Sequence, residues 1–315
     1  MKPLTVLSLF DGISCGRVAL QRAGIPVAKY YASEVDPYAI KVTQKNWPDT
    51  IQLGDVKQVW ARNLPKIDLL IGGSPCQDLS IAKQNRKGLS GQKSGLFWHY
   101  VRLLRTTKPR WFLLENVASM SHADRSKITE ILGVEPVFIN SALVSAQQRK
   151  RLYWSNIPGI TQPADKCILL KDILDSGLAT SDKSNCLDAN YWKTPGSQVF
   201  NQGHARNRRP MVYEPINLGY LGKGGQGRRV YSVFGKSVCL SAGLGGGTQQ
   251  WVKIDLPDGN YTIRKLSPVE CERLQTLPDC YSEGVSNTQR YRAIGNGWTV
   301  DVIAHIFSFI PKEDK

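Results

Sequence analysis

Leu4-Thr-Val-Leu-Ser-Leu-Phe-Asp-Gly-Ile-Ser-Cys-Gly16 runs an apolar segment straight into a glycine turn, and Arg17 to Ala23 continues with amphipathic spacing. A strand that turns on glycine into a helix is the first half of a βαβ unit. The pattern repeats outward along the chain. Lys29 to Ser33 reads as a strand and Pro37 to Asn46 as a helix. Ile67 to Ile71, Trp111 to Glu115 and Val137 to Leu143 read as further strands, with helices over Leu96 to Thr106 and Ser126 to Leu132. This alternation predicts an α/β fold with a parallel sheet and crossover helices. Between Ser155 and Thr262, Gly, Ser and Asn become frequent, β-type runs such as Arg229 to Phe234 and Gln249 to Ile254 are short, and helical periodicity fades. Lys183-Ser-Asn-Cys-Leu-Asp-Ala189 resembles Lys236-Ser-Val-Cys-Leu-Ser-Ala242, a similarity short enough to arise by chance. After Pro268 the amphipathic pattern returns and ends in a helix over Thr299 to Ile310. The expected organisation is an α/β core over 1–154, a smaller irregular β-rich domain over 155–262, and a return to the core over 263–315.

The 315 residues include 41 basic and 26 acidic side chains, a formal charge of +15 that favours a polyanionic partner over an acidic metabolite. Seven cysteines form no C-x-x-C pair, so neither a zinc site nor a disulfide framework is expected. Leu4 to Phe10 is too short to span a bilayer or to serve as an export signal, which predicts a protein of a reducing, cytoplasmic compartment with no membrane partner.

Candidate chemistry clusters where strands end. Phe10-Asp-Gly-Ile13 follows the first strand, where glycine admits a ligand to the backbone and a helix N-terminus faces it. The dehydrogenase pattern G-x-G-x-x-G is absent. Glu34, followed by Val35, ends the second strand and can accept both hydroxyls of a ribose; Asp55 and Val56 stand near the end of the next. An acidic residue alone is more often a helix cap, but three strand ends in series describe an adenosine pocket. Gly72-Gly-Ser-Pro-Cys-Gln-Asp-Leu-Ser80 follows Ile67 to Ile71 and places Cys76 in a turn beyond a strand, the setting of a reactive thiol and not of a core one. Leu79 to Gly95 carries Ser80, Lys83, Arg86 and Lys87, suited to a loop that meets phosphates. Glu115-Asn-Val117 offers a proton handler at a strand end. In Gln147-Gln-Arg-Lys-Arg151, Arg149 and Arg151 share one face of an extended segment, a donor pair for a base carbonyl or phosphates.

Taken in order, Phe10-Asp-Gly-Ile13, Glu34-Val-Asp36, Gly54-Asp-Val56, Gly72 to Ser80, Glu115-Asn-Val117, Gln147-x-Arg149-x-Arg151 and Gly295-Asn-Gly297 resemble the motifs of the cytosine carbon-5 DNA methyltransferases. The likeness spans about the first 155 residues and the last 50, and leaves the middle as the family's variable target recognition domain. Leu7-Ser-Leu-Phe-Asp-Gly12, Ser33-Glu-Val35 and Gly72 to Ile81 look most like the catalytic domains of the vertebrate de novo enzymes. Their regulatory modules have no counterpart here, which points to a prokaryotic or phage member, in a restriction–modification setting or as an orphan. The common bacterial first motif has Asp-Leu-Phe; here Ser8 occupies that Asp position and Asp11 follows Phe10, a change the de novo group shares.

The resemblance implies a Rossmann-like core that binds S-adenosylmethionine. Phe10 would stack on the adenine, Glu34 take the ribose hydroxyls and Asp55 the adenine amino group. Asp11, Gly12, Ile13, Val35, Val56, Pro75, Asn296 and Trp298 would complete that pocket. Cys76 is the implied nucleophile, adding to carbon 6 of a flipped cytosine with Glu115 at ring nitrogen 3, while Arg151, with Arg149, holds the base carbonyl. Double-stranded DNA is the implied partner of a monomeric enzyme, met by Ser80, Lys83, Arg86 and Lys87, by Arg206, Arg208 and Arg209 in the run from His204, and by Arg228 and Arg229 in the glycine-rich stretch from Gly219. Asp36-Pro-Tyr38 only superficially matches the Asp-Pro-Pro-Tyr motif of amino-directed methyltransferases, and the Cys-Phe-Thr signature of tRNA-cytosine methyltransferases is not found. Cys76, Glu115 and Arg151 together argue against an inactive DNA-binding relative.

Overall fold

The computed structural model describes residues 1–74, 94–179, 181–193, 197–198, 211–215 and 261–312. Seven strands form one sheet: β1 (Leu4–Leu9), β2 (Val27–Ser33), β3 (Ile51–Gln52), β4 (Leu69–Gly73), β5 (Trp111–Val117), β6 (Val137–Asn140) and β7 (Lys150–Ser155), in the order β3-β2-β1-β4-β5-β7-β6. Strands β1 to β5 pair in parallel, and β7 enters antiparallel between β5 and β6. The order reverses at β1, so the crevice beyond the carboxyl ends of β1 and β4 is where an open sheet of this type takes its ligands.

Neighbouring residues along each strand serve opposite cores. Val6, Leu69, Ile71, Leu113 and Tyr153 pack on one face; Leu7, Leu70, Leu114 and Trp154 pack on the other. A sheet buried on both sides reads as a continuous apolar run, which is why Leu4 to Leu9 shows no alternation of polar residues. Helices α1 (Cys15–Arg22) and α2 (Pro37–Asn46) supply residues to the first core, and α3 (Phe97–Thr107) and α4 (His122–Leu132) to the second. Later come α5 (Pro268–Leu274), α6 (Asn287–Asn296) and α7 (Val300–Phe307). Helix α7 lies against α1, and Arg22 ties the two by an ion pair with Asp301; it also donates to the Thr276 carbonyl, just after α5, at 2.6 Å. The chain end thus rejoins its beginning.

Two of the boundaries that differ from the sequence reading do so for local reasons. Helix α4 starts at His122 and not Ser126, because Ser121 caps it, accepting from the Asp124 N–H at 3.1 Å. Strand β6 stops at Asn140, short of Leu143, because the Asn140 side chain accepts from the Ala142 N–H at 3.2 Å and opens a 3₁₀ turn.

Residue 155, the expected start of the second domain, is not a break in packing. Ile157, Leu170, Ile173, Leu187 and Tyr191 all join the first core. Lys183 anchors this stretch, its ammonium donating to the carbonyls of Ala142, Ser145 and Ile168 at 2.9, 3.2 and 2.5 Å. A second, antiparallel sheet, in the order β8-β10-β11-β9, joins β8 (Leu178–Ala179), β9 (Ser197–Gln198), β10 (Met211–Pro215) and β11 (Tyr261–Lys265). The repeat's first copy, 183–189, belongs to the main body; its second, 236–242, lies outside the described residues.

Candidate active site

A cleft of about 1400 Å³ opens at the carboxyl ends of β1, β2, β4 and β5, larger than the roughly 300–1000 Å³ of a single small-molecule site. Its walls include Phe10, Asp11, Gly12, Glu34, Val35, Asp55, Val56, Glu115, Arg149, Arg151, Asn296 and Trp298, twelve residues singled out from sequence and brought together here.

One end is shaped for a nucleoside. After β1 the backbone takes positive φ at Phe10, Gly12 and Ser14, so the turn doubles back before α1 begins. Glu34 holds this turn from β2: one carboxylate oxygen accepts the Gly12 N–H at 2.8 Å, the other the Val35 and Asp36 N–H groups at 2.7 and 2.9 Å. A side chain so anchored presents its remaining lone pairs in one direction, as recognition of a diol requires. At Gly12 and Gly54, both in the left-handed region, a Cβ would meet nothing within 4 Å, so bare backbone borders the cleft there. Asp55 accepts the Lys57 N–H at 3.0 Å, combining a cap with its place on the wall. An aromatic face, an anchored carboxylate and exposed backbone fit an adenosine group. Val35 stands on the lip, 67% exposed. The Ile13 side chain departs from the expected lining, being fully buried in the first core, with its carbonyl accepting from Tyr281 Oη at 2.8 Å; an apolar residue at the foot of α1 gains more from the core than from the cleft.

Asp11 sits among hydroxyls, accepting from Tyr30 Oη at 2.8 Å and from Ser14 Oγ. Burial is the main cause that pushes its carboxyl up to about 6, and nearby Glu34 adds to it. Cys15 also lines the cleft, but burial pushes its thiol to about 12, which disqualifies it as a nucleophile.

The other end holds the acid and the arginines. Glu115 on β5 and Arg151 on β7 are diagonal neighbours across the antiparallel pair, since Glu115 faces Tyr153 and Val117 faces Arg151. Glu115 Oε1 forms an ion pair with Arg151 Nε at 2.6 Å, and Oε2 accepts from Trp298 Nε1 at 3.2 Å. Beside them β4 ends at Gly73 and Ser74; Asn116 Nδ2 donates to the Ser74 carbonyl and hydroxyl at 3.3 and 3.1 Å. Arg149 requires a correction. It is 4% exposed, and its guanidinium donates to the carbonyls of Leu187, Gly295 and Gly297 at 2.8, 3.2 and 2.9 Å and to Cys186 Sγ at 3.3 Å. It therefore ties two cleft walls together instead of offering a donor to a base or a phosphate, because it precedes β7, which begins at Lys150, and three backbone carbonyls engage its guanidinium there.

The segment 185–190, which sequence reading did not place at the site, forms a further wall. Its backbone docks so closely on Gly295-Asn-Gly297, at the carboxyl end of α6, that a Cβ on Gly295 would stand 2.3 Å from the Asp188 carbonyl oxygen. Pro75, Cys76, Ser80, Lys83, Arg86, Lys87, Arg206, Arg208, Arg209, Arg228 and Arg229 lie outside the described residues. Among the described residues no cluster of ligating side chains could hold a metal, and no helix is long and apolar enough to cross a membrane.

Fold and cleft together define an open-sheet α/β enzyme with a nucleoside pocket next to a carboxylate–arginine pair. Residues 4–136 and 174–312 match the family of C-5 cytosine-specific DNA methylases, and the chain belongs to that family. It is 29% identical over 325 residues to the Type II methyltransferase M.HhaI of Haemophilus parahaemolyticus, covering 96% of this chain and 93% of that protein. It is 25% identical over 442 residues to the orphan methyltransferase M.SPRI of Bacillus phage SPR, with both chains covered in full. The solved structure of the Entamoeba histolytica methyltransferase EhMeth superposes with a TM-score of 0.67 over 98% of each chain at 14% identity, a likeness of fold. The chain is therefore an S-adenosylmethionine-dependent methyltransferase directed at carbon 5 of cytosine. The named relatives by sequence are bacterial and phage enzymes, not vertebrate ones.

Proposed function

We propose that this methyltransferase acts on cytosine flipped out of double-stranded DNA, with Cys76 as the covalent nucleophile. The observation that carries the reading is the placement of Glu115 and Arg151 beside Gly73 and Ser74, the two residues that lead directly into Pro75 and Cys76. Carbon 5 of cytosine is a poor nucleophile until the ring is activated. The Cys76 sulfur forms a bond to carbon 6, and the displaced electron pair moves into the ring toward nitrogen 3 and carbon 5. Glu115 faces nitrogen 3 and shares a proton with it, while Arg151 holds Glu115 in place and brings its positive charge to the wall that the ring carbonyl meets. S-adenosylmethionine, which Phe10, Glu34 and Asp55 would hold, would supply an electrophilic sulfonium methyl: the carbon 5 electron pair bonds to the methyl as the sulfur–methyl bond breaks, and S-adenosylhomocysteine leaves. A base then takes the carbon 5 proton, the electron pair re-forms the ring double bond and the sulfur–carbon 6 bond breaks. Atoms this deep in a cleft are reached only by a base that has left the stack, at a few kcal/mol of unstacking.

DNA is favoured by the +15 charge and by the family's description. Base reading falls to the part of 155–262 that follows the docked stretch 157–191, with Arg206, Arg208, Arg209, Arg228 and Arg229 as candidate DNA contacts and Ser80, Lys83, Arg86 and Lys87 as candidate phosphate contacts. Relatives named as Type II and orphan methyltransferases support a restriction–modification or orphan role in the cytoplasm of a bacterial or phage-infected cell. The test is a duplex carrying 5-fluorocytosine, offered beside tRNA to the wild type and to Cys76→Ala. A covalent adduct is expected with the duplex, and none with the variant. Tight binding without an adduct would point to amino methylation, and methylated tRNA without methylated duplex would overturn the choice of DNA.

A further inference from the structure

The Trp298 indole and the Glu115 carboxylate share a hydrogen bond for which the chemistry above assigns no task. Trp298 Nε1 donates to Glu115 Oε2 at 3.2 Å, while Oε1 is paired with Arg151 at 2.6 Å, so both oxygens are engaged from opposite sides of the cleft. The backbone around the indole is tied down. The Gly297 carbonyl accepts from Arg149 Nη2 at 2.9 Å and Gln275 Nε2 at 3.2 Å, and Thr299 Oγ1 donates to Gln275 Oε1 at 3.0 Å. The surroundings are shaped to permit the contact. A Cβ on Gly73 would stand 2.8 Å from Trp298 Nε1 and 2.9 Å from Glu115 Oε2, and one on Gly16 would stand 3.4 Å from the far edge of the indole and 2.4 Å from Ile71 Cδ1. Glycine at 73 is therefore required at the point where tryptophan reaches the acid. An indole N–H donates and never accepts, so it orients a carboxylate without taking its proton.

We propose that Trp298 is a positioning residue: from the cofactor side of the cleft its N–H fixes the rotation of the Glu115 carboxylate, so that the acid meets the target ring already aligned. The same indole lines the wall shared with Phe10 and Glu34, so one side chain serves cofactor seating and carboxylate alignment. This rests on the reading of Glu115 as the group that faces ring nitrogen 3. Trp298→Phe keeps an aromatic wall and deletes the donor, and Gly73→Ala keeps both side chains and puts a methyl between them.

The experiment compares Trp298→Phe, Gly73→Ala and Glu115→Gln with the wild type for kcat, KM for DNA, the rate of adduct formation with the 5-fluorocytosine duplex, cofactor affinity by calorimetry and the thermal midpoint. Misplacement of an acting group costs up to about 100-fold, so Trp298→Phe should lose roughly 10- to 100-fold in kcat and adduct rate. Its cofactor affinity should stay within about threefold and its KM and midpoint near wild type, the signature of an interaction used in the transition state alone. Gly73→Ala should lose rate likewise, and it carries the test if Trp298→Phe does not fold. Rates within about twofold of wild type in the folded variants, beside an inactive Glu115→Gln, would overturn the positioning role and leave the reading of Glu115 intact. Cofactor affinity falling in step with rate would also overturn it, reducing the indole to a wall. Full activity of Glu115→Gln would instead remove the reading on which the proposal rests.

Discussion

Replacing Asp11 with asparagine should stabilise the cofactor-free protein, and do so more as the pH rises. The carboxyl is pushed from 3.8 to about 6, chiefly by burial, with the hydroxyls of Ser14 and Tyr30 offsetting part of the shift. Its folded value lies above its unfolded one, so the folded state holds the proton more tightly. The stability this represents is complete below pH 4 and is lost as the pH climbs through 6. Two units at 1.36 kcal/mol each give a penalty of about 3 kcal/mol for the ionised group at pH 8, and about half of that at pH 5. Partial solvent access reduces these, so a gain of roughly 1–3 kcal/mol at pH 8 is expected for Asp11→Asn, with a smaller gain at pH 5. Urea unfolding at the two pH values, with slopes compared to confirm a common unfolding reaction, measures it. The same substitution should weaken cofactor binding, because a site that tolerates a costly charge in its empty state does so for its ligand. Equal destabilisation of Asp11→Asn at both pH values would show that the hydroxyls more than compensate the burial, and the reasoning would fail.

Gly295→Ala would force a methyl to within 2.3 Å of the Asp188 carbonyl. Rigid backbone on both sides makes this an overpacked site, costing about 1–3 kcal/mol or more and lowering the thermal midpoint; an unchanged midpoint would mean that 185–190 is not docked there. Arg149→Met would leave the Leu187, Gly295 and Gly297 carbonyls without their shared donor. A loss of roughly 3 kcal/mol is expected, together with weaker cofactor binding as the turn before Trp298 loosens. The salt dependence of DNA binding should not move. A salt slope smaller by about one at an unchanged midpoint would return Arg149 to the phosphates.

Local chemistry made much of this protein legible in one dimension. A strand, a glycine turn and a helix must follow one another in the chain, so the core elements could be read from Leu4 onward. A carboxylate or an aromatic at a strand's carboxyl end lies by construction at the ligand-binding edge of an open sheet, so the sequence alone puts Phe10, Glu34, Asp55 and Glu115 at the cleft. What depended on distant partners could not be read this way. Spacing put Arg149 and Arg151 together as donors, and the fold separated them: Arg151 faces Glu115 across two strands, while Arg149 is drawn inward by carbonyls 38, 146 and 148 positions away. Ile13 sits inside a binding motif, yet its side chain belongs to the core. The stretch 157–191 lacks helical periodicity and looked separable, but a few well-spaced apolar side chains and one lysine were enough to bind it to the main body. Glycine at 73 and 295 has no local turn to explain it; Trp298 and the Asp188 carbonyl, each more than a hundred residues away, occupy the space a Cβ would need. Strand ends are set by residues adjacent in the chain, whereas close approach is set by whatever the completed fold brings alongside, and only the second requires the tertiary structure.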